Sequence, residues 1–340
     1  MTATLDPELD VRVHDPELGA RRLIAWRRAP FPAPWSDWFK REAPLHLEIG
    51  FGDGRFTVAR AAAEPEHDFV GIEASGVSVR RAQRKLRAHD PSNLRVVKAG
   101  AQAAVRQLFA PASLHSVTVN FPDPWPKERH ERNRLLRTPF LATLAERLRF
   151  GGEIRLATDH EAYFDFSNAQ ARDSGLYRVE EREPPPEVHR TKYALKWLEQ
   201  GKPVHYAAYV RTDRPAPSRP PIERPSRMPH ALLHGRLSDA VPFEKTVLPY
   251  EDGHVVLHEA MRALERDRGR DRWLIRVTVD EPDLIQQVLV AVQRREDSEH
   301  IVRLESFGDP IVTPAVRGAI HAVTEWLTAH GDWTVAARNY

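Results

Sequence analysis

The clearest signal along the chain is a repeated change of hydrophobic period. From position 45 onward, short apolar runs alternate with longer stretches in which apolar residues recur every three or four positions. The runs at 45–49 (LHLEI), 69–73 (FVGIE), 94–98 (LRVVK), 116–120 (SVTVN) and 152–158 (GEIRLAT) predict strands. The stretches at 56–63, 77–89, 101–109, 135–149 and 161–174 predict the helices between and after them. Strict strand–helix alternation predicts a parallel, doubly wound sheet. Two further runs, 177–181 (YRVEE) and 204–211 (VHYAAYVR), bring the strands to seven, with one expected to be antiparallel at the sheet edge.

Proline marks the boundaries. The segment 30–44 (PFPAPWSDWFKREAP) predicts an irregular arm that ends where the first strand begins, and 213–230 (DRPAPSRPPIERPSRMPH) predicts an extended linker. The resulting organisation is an N-terminal arm (1–44), a doubly wound domain (45–212), the linker (213–230) and a C-terminal domain (231–340). A chain of 340 residues is long enough for two cores. In the C-terminal domain the runs FEKTVL, RWLIRVTV and HIVRLESF alternate with helical patterns at 258–267, 284–293 and 315–328, which predicts a small α/β module.

Composition narrows the chemistry. The absence of cysteine excludes disulfides, thiolate metal sites and thiol nucleophiles, so catalysis must use oxygen and nitrogen groups. With 41% hydrophobic and 29% charged residues and no apolar run of membrane-spanning length, the chain reads as a soluble protein. The N-terminal stretch lacks the apolar core of a secretory signal, so a cytoplasmic location is expected. The net charge of +2 does not by itself announce a nucleic-acid partner.

Directly after the first predicted strand comes Glu48-Ile49-Gly50-Phe51-Gly52-Asp53-Gly54-Arg55. Glycine at alternate positions lets backbone approach a ligand closely. The G-x-G-x-G spacing differs from the G-x-G-x-x-G of dinucleotide binders and, with Glu48 just ahead of it, favours S-adenosylmethionine over NAD. Turn amides and the helix N-terminus would take the carboxylate of the methionine moiety, and Glu48 its ammonium group. Glu73, at the end of the second strand, is placed to accept from a ribose diol. An NAD-dependent oxidoreductase shares the sheet, the glycine loop and this acidic residue, and is the rival reading.

The segment Asn120-Phe121-Pro122-Asp123-Pro124-Trp125-Pro126-Lys127-Glu128-Arg129-His130 follows the fourth strand, where an open α/β sheet binds its ligands. Its prolines hold Asp123 and Trp125 on a rigid path. Lys127, Arg129, His130, Arg132, Arg134 and Arg137 supply enough positive charge for several phosphate contacts.

These residues resemble the bacterial tRNA guanine-N7 methyltransferases, whose signature is close to F-x-D-P-W-P-K-x-R-H. The resemblance spans about 45–211 and includes LEIGFGDG, GIE, FPDPWPKERH, ATDHEAY and TKY. It implies a class I, Rossmann-like methyltransferase fold with a second, smaller α/β domain, S-adenosylmethionine as methyl donor, and tRNA as substrate. Neither a metal nor an obligate protein partner is expected. By the resemblance, Asp123 is the active-site carboxylate. Glu48, Gly50, Gly52, Glu73, Asn120 and Asp123 line the cofactor pocket, with the backbone of Gly100 and Ala101 near the adenine. Lys127, Asp159 and Thr191 bind the RNA, together with Arg129, His130, Arg132 and Tyr193.

Two positions depart from that pattern. The family usually carries an acidic residue near Gly100, and a glutamate where this chain has Ala194. Asp159, Glu187 and Glu199 are the carboxylates that could replace the latter in gripping a guanine. In the C-terminal domain, His254 and His258 would share one face of a helix, which could hold a metal if a third ligand were present.

Overall fold

The computed structural model describes residues 22–190, 202–236, 242–250, 253–263, 272–296 and 298–340. The chain divides into two compact units, with the boundary between Pro221 and Ile222 inside the proline-rich stretch.

In the first unit, β1 (Leu23–Ile24), β2 (Leu45–Ile49), β3 (Asp68–Glu73), β4 (Leu94–Lys98), β5 (Leu114–Asn120), β6 (Leu148–Thr158), β7 (Tyr177–Glu181) and β8 (His205–Arg211) form one sheet. Its spatial order is β1-β4-β3-β2-β5-β6-β8-β7. Pairing is parallel from β1 to β6. The reversal of strand order beside β2 opens a crevice at the carboxyl ends of β2 and β5, the place where doubly wound sheets bind ligands. The antiparallel strand is β8, but it lies between β6 and β7 rather than at the edge expected from sequence. Its core stretch Tyr206 to Tyr209 is buried throughout, which suits an interior strand.

The helices are α1 (Trp35–Phe39), α2 (Arg55–Ala63), α3 (Gly76–His89), α4 (Ala101–Leu108), α5 (Thr138–Arg147) and α6 (Glu161–Ser174). In α3, Val79, Ala82 and Leu86 bury one face while the arginines between them stay in water. Ser75 caps its first turn by accepting from the Ser78 amide. Helix α5 is shorter than the 135–149 pattern suggests. Pro139 sits in its first turn, and at its far end Leu148 already pairs with Leu114 in the sheet.

The N-terminal arm is more ordered than its prolines predict. Leu23 and Ile24 extend the sheet beside β4, and α1 is pinned to the core. Trp35 is buried, donates its indole N–H to the Leu108 carbonyl at 2.9 Å and stacks on Phe109. Arg95 donates to the Trp38 carbonyl and lies over the Phe39 ring. At the other end of the unit, the start of the proline-rich stretch is tied down. Arg147 donates to the Arg219 carbonyl, Arg219 donates its amide to Glu146, and Arg106 reaches the Pro220 carbonyl.

The second unit holds β9 (His230–His234), β10 (Thr246–Tyr250), β11 (Gly253–Arg262), β12 (Arg272–Asp280), β13 (Ile285–Glu296), β14 (Glu299–Leu304), α7 (Pro314–His330) and β15 (Thr334–Asn339). Its sheet, β10-β11-β12-β13-β14-β9-β15, is antiparallel throughout, and α7 packs on one face of it. The described part of one expected helix, 258–262, and nearly all of another, 285–293, are therefore strand. In β13, Gln286, Val288, Val290 and Val292 point inward while Ile285 and Gln287 are exposed, a period of two that the valine-rich run obscures. Residues 258–262 have good helix propensity but pair with β12, so partners override propensity. His254 and His258 consequently stand on a strand, with a register shift between Leu257 and Glu259, and His258 bonds to Thr278.

Candidate functional site

A cleft of about 520 Å³ opens at the carboxyl ends of β2, β3 and β5, within the usual range for small-molecule sites. The loop after β2 forms one wall. Gly50 and Gly52 adopt φ values of +77° and +56°, and a side chain on Gly50 would meet no other atom within 4 Å. Glycine is thus required there by backbone conformation, and its absent side chain leaves room in the cleft. Gly54 differs: a Cβ there would lie 2.8 Å from the Ala82 Cβ, so α3 packs directly on the loop.

Five amides of the loop make hydrogen bonds within the protein. Gly50 and Phe51 donate to the Ile72 carbonyl, Gly52 to Glu73, Gly54 to the Phe51 carbonyl and Arg55 to Asp53. Among the described residues, the cationic side chains on the cleft wall are Arg55 and Arg81.

Glu48 lies at the floor, 6% exposed. Its carboxylate accepts from Thr57 Oγ1 and, at 3.4 Å, from Asn120 Nδ2. Burial raises its pKa to about 7, the hydrogen bonds from Thr57 and Asn120 offsetting part of the effect. Asn120 Oδ1 is buried with no hydrogen-bond partner among the described residues. On the opposite wall, Glu73 accepts from the Gly52 amide at 2.9 Å and the Ser75 amide at 2.8 Å. It thereby ties the glycine loop to the start of α3 while each oxygen keeps a second lone pair.

The third wall is the loop after β5. Phe121 and Trp125 take φ values of +50° and +43°, uncommon for residues with large side chains. This path turns Asp123 outward on the cleft rim and half-buries Trp125, whose ring meets His130 edge-on at 5.8 Å. Arg134 holds the loop from behind. It is 8% exposed, donates to the Pro124 and Trp125 carbonyls at 3.2 and 3.5 Å, and lies over the Phe166 ring. Sequence reasoning assigned this arginine to phosphate contacts. It is spent instead on positioning, while Arg137 donates to the Arg132 carbonyl.

The structure gathers Glu48, Gly50, Gly52, Glu73, Ala101, Asn120 and Asp123 around this one cleft. Gly100 is not on its lining, although Ala99 and Ala101 are, and a side chain at Gly100 would point into open space. Lys127 and the short 3-10 segment Glu128–Asn133 follow the rim, with Lys127, Arg129 and Arg132 exposed and His130 half-buried. Asp159, half-buried just beyond β6, is not on the lining. Thr191, Tyr193, Ala194 and Glu199 lie outside the described residues. Ser75, Ser78 and Arg81 were missed, although their three-residue spacing after the β3 acid marks one face of the first turns of α3.

A family model described as a putative methyltransferase matches residues 42–207, which include all of this cleft. Proteins named tRNA (guanine-N(7)-)-methyltransferase are similar over most of the chain. That of Thermus thermophilus is 44% identical over 91% of this chain and 96% of its own length. The one from Deinococcus radiodurans is 43% identical over 85% and 91%, respectively. The one from Thermotoga maritima is 31% identical over 89% and 95%. The chain belongs to the tRNA (guanine-N(7)-)-methyltransferase family. The Thermus match runs over 312 residues, more than the first unit contains, so it extends into the antiparallel unit as well.

Proposed function

We propose that this protein transfers a methyl group from S-adenosylmethionine to N7 of a guanine in tRNA, in the variable loop by family resemblance. The observation that carries the reading is the convergence of Glu48, Glu73, Asn120 and Asp123 on a single cleft at the switch point of the sheet.

The side chains present fit that cofactor. Glu48 is a buried carboxylate that gains a counter-charge when an ammonium binds. The unpartnered Asn120 Oδ1 is an acceptor beside it, and Glu73 keeps lone pairs for a diol. Arg55 and Arg81 are the cleft cations for a carboxylate. S-adenosylmethionine supplies an electrophilic methyl on a positively charged sulfur.

Guanine N7 carries an in-plane lone pair and no proton, so the protein needs no general base. Its task is alignment and charge. The loop that Arg134 braces fixes the rim of the cleft, and orientation of this kind can lower a barrier by several kcal/mol. As N7 gains its methyl, positive charge appears on the guanine ring, and the carboxylate of Asp123 at the rim offsets it. Lys127, Arg129, His130 and Arg132 hold phosphates beside the cleft, with Asp159, Thr191 and Tyr193 contributing to the RNA contact.

The test is incubation of the full chain with labelled S-adenosylmethionine and an unmodified tRNA transcript, followed by borohydride and aniline cleavage at 7-methylguanosine. The expected result is cleavage at one guanine, lost in Asp123→Asn with cofactor binding retained. Cofactor binding without any methylated guanine would sink the proposal.

A further inference from the structure

At the amino ends of the strands, away from the cleft, three histidines converge. His46 is the second residue of β2, His67 immediately precedes β3, and His115 is the second residue of β5. The His46 ring centroid lies 4.9 Å from that of His67 and 5.1 Å from that of His115. Glu64, which ends α2, joins them: an imidazole nitrogen from His46, another from His67 and a Glu64 oxygen all lie within 4.8 Å of one another.

The roles of the ring nitrogens are already divided. His46 Nδ1 meets Ser116 Oγ at 2.7 Å, while His46 Nε2 is buried with no partner among the described residues. A polar atom left alone in an interior needs an explanation. His115 is different, because Arg149 donates to its Nε2 at 2.7 Å.

We propose that His46, His67 and Glu64 form a binding site for a divalent transition-metal ion of the zinc type. Two imidazoles and one carboxylate are a zinc donor set, with a fourth position left for water. Bonds to zinc of about 2.0–2.1 Å in a tetrahedron put donors about 3.3 Å apart; His67 Nδ1 and Glu64 Oε2 already stand 3.2 Å apart, in a hydrogen bond that the metal would replace, and the widest separation closes by up to about 1.5 Å through side-chain rotation. Ser116 fixes the His46 ring as an outer hydrogen-bond partner, and Arg60 grips Glu64 at 2.9 and 3.1 Å. The guanidinium groups of Arg60 and Arg149 oppose a dication, so binding in the micromolar rather than the nanomolar range is expected. Bound metal would tie the end of α2 to β2 and β3.

The experiment is titration of metal-stripped full-length protein with Zn2+, read by calorimetry, with Co2+ absorption reporting geometry. Wild type should take up one equivalent that is lost, or weakened at least about tenfold, in both Glu64→Gln and His67→Gln. These partly exposed positions are chosen over the buried His46, and circular dichroism checks that both variants fold. An equal number of sites and equal affinity in wild type and both variants would overturn the proposal, as would the lack of any saturable uptake by wild type.

Discussion

Glu48 offers the sharpest quantitative prediction. Its carboxyl group is held at about pH 7 from an ordinary 4.5, so near neutrality it is about half protonated. An ammonium on the ligand pairs with the carboxylate, so binding requires the ionised form. Below about pH 7 the apparent affinity for S-adenosylhomocysteine, which carries the same amino-acid moiety, should fall about tenfold per pH unit. Above about pH 8 it should fall again as the ligand's own amine loses its proton. Stability follows the same group with its own sign. The folded-state pKa is raised, so the Glu48 contribution is greatest below about 4.5 and is lost as pH rises through about 7. The full effect is on the order of 3 kcal/mol, from a shift of roughly two and a half pH units at 1.36 kcal/mol each. Glu48→Gln should therefore bind the ligand about tenfold to a hundredfold more weakly at pH 8, lose the acidic limb of the binding curve, and melt higher than wild type at alkaline pH. Calorimetric titration across pH, beside thermal melts of the same samples, reads all three effects. Parallel binding curves for wild type and Glu48→Gln below pH 7 would refute the reasoning.

Three further outcomes are expected. Arg134→Ala releases the carbonyls of Pro124 and Trp125 and should lower kcat by up to about a hundredfold while leaving cofactor affinity unchanged; single-turnover kinetics separate the two. Trp35→Ala removes a buried indole with its hydrogen bond to Leu108 and should destabilise the first unit by about 3–5 kcal/mol, measured by denaturant melts. Gly54→Ala places a methyl 2.8 Å from the Ala82 Cβ at a φ of +77°; it should cost at least about 1–2 kcal/mol and weaken cofactor binding, checked by melts and calorimetry.

The first unit was legible because its signals agree with one another. Strand β4 and helix α6 carry the predicted bounds, and Glu48, Glu73 and Asn120 fall at strand ends where topology alone brings them together. What stayed hidden depends on partners distant in sequence. Nothing local to Trp35 announces the Leu108 carbonyl, and nothing in KERHERNRLLR separates the buried Arg134 from exposed Arg132. In the second unit, a valine-rich run satisfies the three- and four-residue rule by being apolar almost everywhere, so β13 reads as a helix until its neighbours are known. The bonds from the glycine-loop amides to Ile72, Glu73 and Phe51 belong to the same class, because sequence shows where a donor is but not what it meets.

The left-handed backbone at Phe121 and Trp125 bears on how such a protein can be made hardier. Each of these residues carries about 1–2 kcal/mol of conformational strain that a glycine would relieve. Glycine at either place would also forfeit side-chain packing, that of Phe121 against Val188 and Tyr206 or that of Trp125 against His130, which outweighs the strain relieved and loosens the cleft rim. The strain is kept because the two side chains hold the rim, and a library aimed at hardening the protein should hold both positions constant.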